Sequence, residues 1–482
     1  MFNISRSSYN IIVCALSFAV LFSAYNTLQN IATTLFPGNL GAISLGVLYA
    51  VAGVTVFAGP ALTNVYGPRL VMVGGAACYV VYLTSLVWLS PALVITTSCV
   101  IGFGAAVLWI GLGVFITENS TVSTYASNTG LFWSIFQVNN IVGNLTTYFV
   151  ISKVTATNTT ALYAGFAVVS AVGTLGLLLL RPPPSTQAEV PAEVPAEAAR
   201  KSLGEHLAQS WQDALKALCL LGTPNMALLL PIFFFSGGEL AFWTGEFPQL
   251  LASSSSSVTE NSATVGLVLT FAGVGEVLGG LSIGRLSDTA GRSASMLLSL
   301  VLYGLALLLT CQLKLGAAMA APQVQGIPVI AFVAALLFGL ADSGFNTNAY
   351  AMCSQLYSDG EEPAGSSSSS SSRGAGAGGA TEAEYALLPP EQLSLQDTEA
   401  AATGSAAAPR DPRSSVGAFT AFQFISNAGS ALWYLVSLQL PVHDTPGGAR
   451  GSFAQVWLQL AFLVLIAVTF VAVDRRNAPV KR

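Results

Sequence analysis

The chain reads as blocks of about 20 mostly apolar residues separated by polar breaks, the length a helix needs to cross the hydrocarbon layer. The blocks occupy residues 11–31, 41–62, 70–89, 92–117, 130–150 and 161–180. Six more follow at 226–243, 263–283, 293–313, 328–350, 416–440 and 453–473. The pattern predicts an all-α polytopic membrane protein with twelve transmembrane helices. The first block contains Asn26, Gln29 and Asn30, and no small-residue cleavage site follows it. It is expected to stay as a span rather than to leave as a signal peptide.

Two breaks are longer than the rest. Residues 181–225 repeat Ala-Glu-Val-Pro at 188–191 and 192–195, then place Leu203, Leu207, Trp211, Leu215 and Leu218 on one helical face. Residues 351–413 hold the serine run 366–372 and a Gly/Ala-rich stretch that cannot bury a core, so disorder is expected there. The expected organisation is an N-terminal six-helix bundle (1–180) and a linker with an amphipathic helix (181–225). A C-terminal six-helix bundle (226–482) follows, interrupted by the 351–413 loop.

The two halves can be laid on each other. Gly46, Ala52, Gly53, Val54 and Gly59 match Gly266, Ala272, Gly273, Val274 and Gly279 at one offset of 220. Gly130, Phe132 and Asn140 of the fifth block match Gly417, Phe419 and Asn427 of the eleventh. Parallel repeats of six plus six are the plan of the major facilitator fold.

Composition agrees with the bilayer. The chain is 53% hydrophobic and 9% charged, where soluble domains carry about 25% charge. Ordinary cytosolic enzymes and disordered chains are thereby excluded. A net charge of −5 gives no general attraction for nucleic acid. Of 18 Lys and Arg, only Lys153, Lys314 and Arg450 fall on the side opposite the N-terminus. The positive-inside rule then puts both termini in the cytosol, in a plasma membrane or endomembrane. The six cysteines form no CxxC pair, and the only histidines, His206 and His443, lie in breaks. No nucleophile–base pair, metal cluster or phosphate loop is legible, so neither an enzyme nor a cofactor is expected.

After the eighth block the chain reads Gly284-Arg285-Leu286-Ser287-Asp288-Thr289-Ala290-Gly291-Arg292. This resembles the G-x-L-[SA]-D-x-x-G-R loop signature of the major facilitator superfamily. The counterpart at 64–69 is degenerate. The resemblance implies a conformational latch of Asp288, Arg285 and Arg292. The stretches 109–120 (Trp-Ile-Gly-Leu-Gly-Val-Phe-Ile-Thr-Glu-Asn-Ser), 128–133 and 143–145 resemble the UNC-93-like branch of that superfamily. So do 238–242, 275–280 and 339–347 (Gly-Leu-Ala-Asp-Ser-Gly-Phe-Asn-Thr). Leu112 stands where that branch often has Gln. Its members are described as regulators of potassium channels, trafficking chaperones for receptors, or transporter-like proteins.

No Lys or Arg lies deep in a span, yet Glu239, Glu276 and Asp342 do. An ionised carboxylate alone in a bilayer is costly. Each acid is expected to hold a proton in a hydrogen bond, to bind a cation, or to reach a loop arginine. The superfamily resemblance puts spans one, four, seven and ten around a cavity. It makes Asn26, Asn30, Glu239, Asp342 and Asn346 lining candidates. A second role for the amides, as for Gln137, Asn139, Asn140, Asn348, Gln423 and Asn427, is hydrogen bonding between helices.

The function expected is transport of a cation or a small neutral or cationic solute by alternating access, coupled to protons through the acids. The alternative is a non-transporting regulator of a potassium channel or a chaperone for a membrane receptor. The partners expected are the lipid bilayer with a small solute, or such a channel or receptor. Asn158 is the sequon on the non-cytosolic side and the glycosylation candidate, making the chain a glycoprotein, whereas Asn119 and Asn3 lie on the other side. Tyr385-Ala386-Leu387-Leu388 fits the Y-x-x-Φ sorting pattern, with Tyr385 and Leu388 as its anchors.

Overall fold

The computed structural model describes residues 5–120, 124–151, 159–182, 222–252, 258–314, 322–324, 327–356, 412–439 and 448–477, with residues 208 and 212 alone between. Nearly all of this is helix. The first span is Arg6–Leu35 and the second is Leu40–Thr55 with Gly59–Tyr66. The third is Pro68–Ser85, the fourth Pro91–Glu118, the fifth Tyr125–Phe136 with Val138–Ile151, and the sixth Thr159–Gly176. The seventh is Pro224–Ala241 with Phe247–Ala252, the eighth Val258–Ala290 and the ninth Arg292–Lys314. The tenth is Val329–Leu356, the eleventh Pro412–Gln439 and the twelfth Gly448–Asn477. Among the described residues, nine of these stretches are long and apolar enough to cross a membrane; the third, fifth and eleventh complete the twelve. A short antiparallel pairing, Gln323–Val324 with Ile327–Pro328, joins the ninth and tenth spans.

The surface is apolar where that of a soluble domain is polar, while the core is apolar with polar groups set into it. Large apolar side chains such as Val54, Trp88, Val168, Leu297, Trp457 and Val464 face outward, where lipid supplies their solvent. Asn30, Asn140, Asn144, Gln459, Glu239, Glu276 and Asp342 are inside. The first span is buried along most of its length, from Asn10 to Ala32, and forms the centre of the first half.

Three spans are broken, each for a local chemical reason. Pro60 has no N–H for the Val56 carbonyl four residues before it. The Gly59 N–H takes that carbonyl instead, tightening Val56–Ala58 into a 3₁₀ turn. In the fifth span the Asn139 side-chain amide donates to the Phe136 carbonyl at 2.6 Å. The Asn140 N–H then turns to the Gln137 carbonyl at 3.3 Å, breaking the ladder between Phe136 and Val138. In the seventh span Phe242–Glu246 widens to a π turn, closed by the Phe247 N–H on the Phe242 carbonyl. Pro248 follows and cannot serve the Thr244 carbonyl. The sequence ends this span at 243, but the helix runs on to Ala252 and carries Thr244 and Glu246 into the core.

Residues 284–290 are not a loop; they are the last two turns of the eighth span, and only Gly291 turns the chain, with φ 88°. Gly67 does the same between the second and third spans, with φ 77°. Neither angle suits a side chain with a Cβ. The two junction glycines stand 224 residues apart, against 220 for Gly53 and Gly273, so the eighth span is one turn longer than the second. The side chains of Arg285, Asp288 and Arg292 lie outside the described residues. So do the 203–218 apolar face, Asn158, and residues 357–411 with Tyr385 and Leu388.

The repeat is visible as paired contacts. The Asn140 side chain of the fifth span lies over Gly273 of the eighth, and the Asn427 side chain of the eleventh lies over Gly53 of the second. These are the residues matched by the two sequence offsets, so the same asparagine-on-glycine contact is made twice where the halves meet.

Candidate functional site

A cavity of about 220 Å³ lies between the halves. Asn26, Asn30, Asp342 and Asn346 line it as expected, but Glu239 does not. Glu239 is fully buried one layer behind, with its carboxyl facing that of Asp342 in a geometry that closes no hydrogen bond. Glu276, from the eighth span, takes a place in the wall instead. The lining is therefore not confined to spans one, four, seven and ten. Spans two, five, eight and eleven contribute Tyr49 and Val56, Gln137 and Asn140, Glu276, and Gln423 and Asn427.

The three acids converge from the seventh, eighth and tenth spans and interact with one another electrostatically. Asp342 also faces Asn346 and the indole of Trp243. Glu276 accepts a 2.6 Å hydrogen bond from the Asn140 side-chain amide of the other half. No Lys, Arg or His of the sequence lies in the middle of any of these spans, and among the described residues no side-chain base stands against the group. Three charges left together without a counter-charge would be strongly unfavourable in a membrane interior.

The amides of the first span have partners. Asn26 donates to Asn139 at 2.9 Å and Asn30 to Asn144 at 3.2 Å, tying the first span to the fifth while both lining residues border the cavity. Leu112 is buried in the first half, away from the cavity.

One end of the cavity is bridged. The near end of the bundle is where the first span begins, and the far end is where it finishes. Toward the far end Gln29 donates to Thr244 at 3.5 Å and Thr33 to the Gly245 carbonyl at 2.9 Å. The Tyr49 hydroxyl reaches Gln29 at 3.2 Å, and the Tyr49 ring stacks on Tyr434 with centroids 5.9 Å apart. Tyr434 in turn bonds Thr244 at 3.0 Å. At the near end, Asn10 bonds Asn119 at 2.7 Å and the Arg181 carbonyl at 3.0 Å, and Arg69 bonds the Leu178 carbonyl. Those near-end bonds stay within the first half.

The family profile described as ion channel regulatory protein UNC-93 matches residues 38–371, well over half of the chain. The chain belongs to the UNC-93 family. UNC93-like protein MFSD11 of Xenopus laevis is 28% identical to this UNC-93 chain, over 75% of the chain and 86% of the relative. Protein unc-93 homolog A of Mus musculus is 25% identical, over 74% and 83%. Among solved structures, the nucleoside transporter NupG superposes with a TM-score of 0.60 at 14% identity, covering 98% of this chain and 99% of its own. A bacterial homologue of the lysosomal transporter Spinster, solved inward-facing and unoccupied, gives 0.58 at 13% identity, covering 98% and 97%. These likenesses make the UNC-93 chain a multi-pass membrane protein with the major facilitator fold.

Several residues of the site escape a sequence reading. Tyr49, Trp243, Thr244, Tyr434 and the buried Glu246 carry no motif. Glu246 follows Glu239 by seven residues, a same-face spacing that was the one available signal.

Proposed function

We propose that this UNC-93 protein moves a cation or a small neutral or cationic solute by alternating access, with Asp342, Glu276 and Glu239 as its coupling or cation site. The observation that carries the reading is the convergence of these three acids, two in the wall of a cavity between two repeats and Glu239 behind them, with no base beside them among the described residues. A cation or shared protons neutralise the cluster, and exchanging them for solvent changes how strongly the halves hold each other through Asn140 and Glu276. The far-end bridges through Gln29, Thr33 and Thr244 support a resting state open toward the near end, which the distribution of basic residues assigns to the cytosol. The signature residues Asp288, Arg285 and Arg292 are the candidate latch at that end.

The family description supports a second reading, a regulator of an ion channel or a receptor chaperone that carries no solute. Sealed vesicles containing only this protein separate the two. Accumulation of a labelled cation or solute driven by an imposed proton or cation gradient is the expected result. Vesicles that stay at the level of empty ones, while the protein alters a co-reconstituted channel, favour the regulator.

A further inference from the structure

We infer that the cavity takes a compact organic ammonium ion with a flat apolar body. The inference deepens the reading above and rests on the cavity being a solute site.

The two walls differ in chemistry. The first half presents Phe22, Tyr25, Tyr79, Trp109, Trp133 and Phe136, all lining the cavity. They form one aromatic surface: Phe22 lies 5.2 Å from Tyr79 and 5.3 Å from Phe136, and Trp109 stacks on Trp133 at 5.8 Å. The second half presents the two acids, Asp342 and Glu276, with only Trp243 and Phe422 as aromatic neighbours in the wall. Beside them, Asn140 has one amide atom unused. Its nitrogen donates to Glu276, while its Oδ1, in a side chain only 5% exposed, has no hydrogen-bond partner. That oxygen is enclosed rather than open to the cavity, so it is the two lining carboxyls that call for a cationic, donor-bearing ligand.

An ammonium group has such donors and a charge that offsets the acids. The aromatic wall then takes the rest of the molecule and adds attraction for the cation through its ring faces. A bare metal cation fits less well, because it needs several oxygens around it and makes no use of the aromatic side. An anion meets the acids. At about 220 Å³ the space lies below the roughly 300–1,000 Å³ of drug-sized sites, which keeps the ligand small, on the order of ten non-hydrogen atoms.

The test is equilibrium binding of tritiated phenethylamine to the purified full chain, with displacement by three competitors. These are 2-phenylethanol, which lacks the charge, 3-phenylpropanoate, which reverses it, and rubidium chloride, which lacks the body. The expected result is saturable binding, with each competitor at least tenfold weaker than unlabelled amine. Asp342→Asn is expected to erase the preference of amine over alcohol. Phe136→Leu is expected to weaken both alike. Glu276→Gln repeats the Asp342 comparison, so an Asp342 variant that does not fold leaves the question answerable. Absence of saturable binding, alcohol or rubidium displacing as well as amine, or a preference that survives both acid variants overturns the inference. Amine binding without amine uptake in sealed vesicles upholds it and removes transport. Uptake of another solute by protein that binds no amine does the reverse.

Discussion

Asn140 of the fifth span donates a 2.6 Å hydrogen bond to Glu276 of the eighth, so one amide joins the two halves and touches the acid cluster. The contact has a pseudo-symmetric partner without the acid. Asn427 meets Gly53 as Asn140 meets Gly273, but the residue 220 positions before Glu276 is Val56. The repeat thus supplies the same frame twice and places the carboxyl chemistry in the second half alone.

Replacing Asn140 with Leu leaves Glu276 without its donor across the interface. The expected loss is about 1–2 kcal/mol, the upper range for a hydrogen bond between membrane helices. Asn140→Asp adds a fourth carboxyl and is expected to cost more than Leu. Thermal unfolding of the purified variants measures both, and Asp at or above the stability of Leu contradicts the assignment.

Close backbone approach makes a second prediction. A Cβ on Gly339 would run into the Ala272 carbonyl, and one on Gly275 into the Leu336 carbonyl, so the eighth and tenth spans pack backbone to backbone. Gly339→Ala and Gly275→Ala should each destabilise by about 1–3 kcal/mol through overpacking. Gly113→Ala meets nothing within 4 Å and should be neutral or stabilising by up to about 1 kcal/mol from helix propensity. Equal effects at all three positions would show that the spans are not in contact there.

The twelve spans and the repeat were legible because bilayer thickness fixes run length and because the matched glycines occupy contact positions. Gly53 and Gly273 recur since each seats an asparagine of the other half. The three acids were legible as unusual residues, but their convergence was not. Which face of a helix turns inward depends on packing, and Glu239 proved to sit behind Asp342 rather than beside it. The end of the seventh span was missed because Thr244 and Glu246 look like a polar exit. They are held inside by a π turn that composition does not signal.

At the far end, a Cβ on Gly245 would come within 2.7 Å of the Tyr434 ring. Gly245→Ala should destabilise by about 1–3 kcal/mol, and much of that loss should vanish in a Tyr434→Leu background. A double-mutant cycle on unfolding reads the coupling, about 0.5–3 kcal/mol for residues in contact. Additive effects would mean that Tyr434 does not close over Gly245.

The glycosylation sites test orientation. Asn119 is 1% exposed, and its side chain accepts a hydrogen bond from Asn10, so it should carry no glycan. If the protein matures in a glycosylating compartment, a glycosidase-sensitive mobility shift should disappear in Asn158→Gln. A shift that persists there and is lost in Asn119→Gln would reverse the membrane orientation.

Amide substitution tests the role of the acid cluster most directly. Asp342→Asn and Glu239→Gln keep shape and hydrogen-bonding capacity while removing the site for a proton or cation. Gradient-driven uptake into sealed vesicles, measured on variants whose thermal stability matches the parent, is the decisive quantity. Folded amide variants are expected to lose uptake at every pH tested. Folded variants with the parent's uptake across the pH range would contradict that role and leave the acids as structural hydrogen-bond partners.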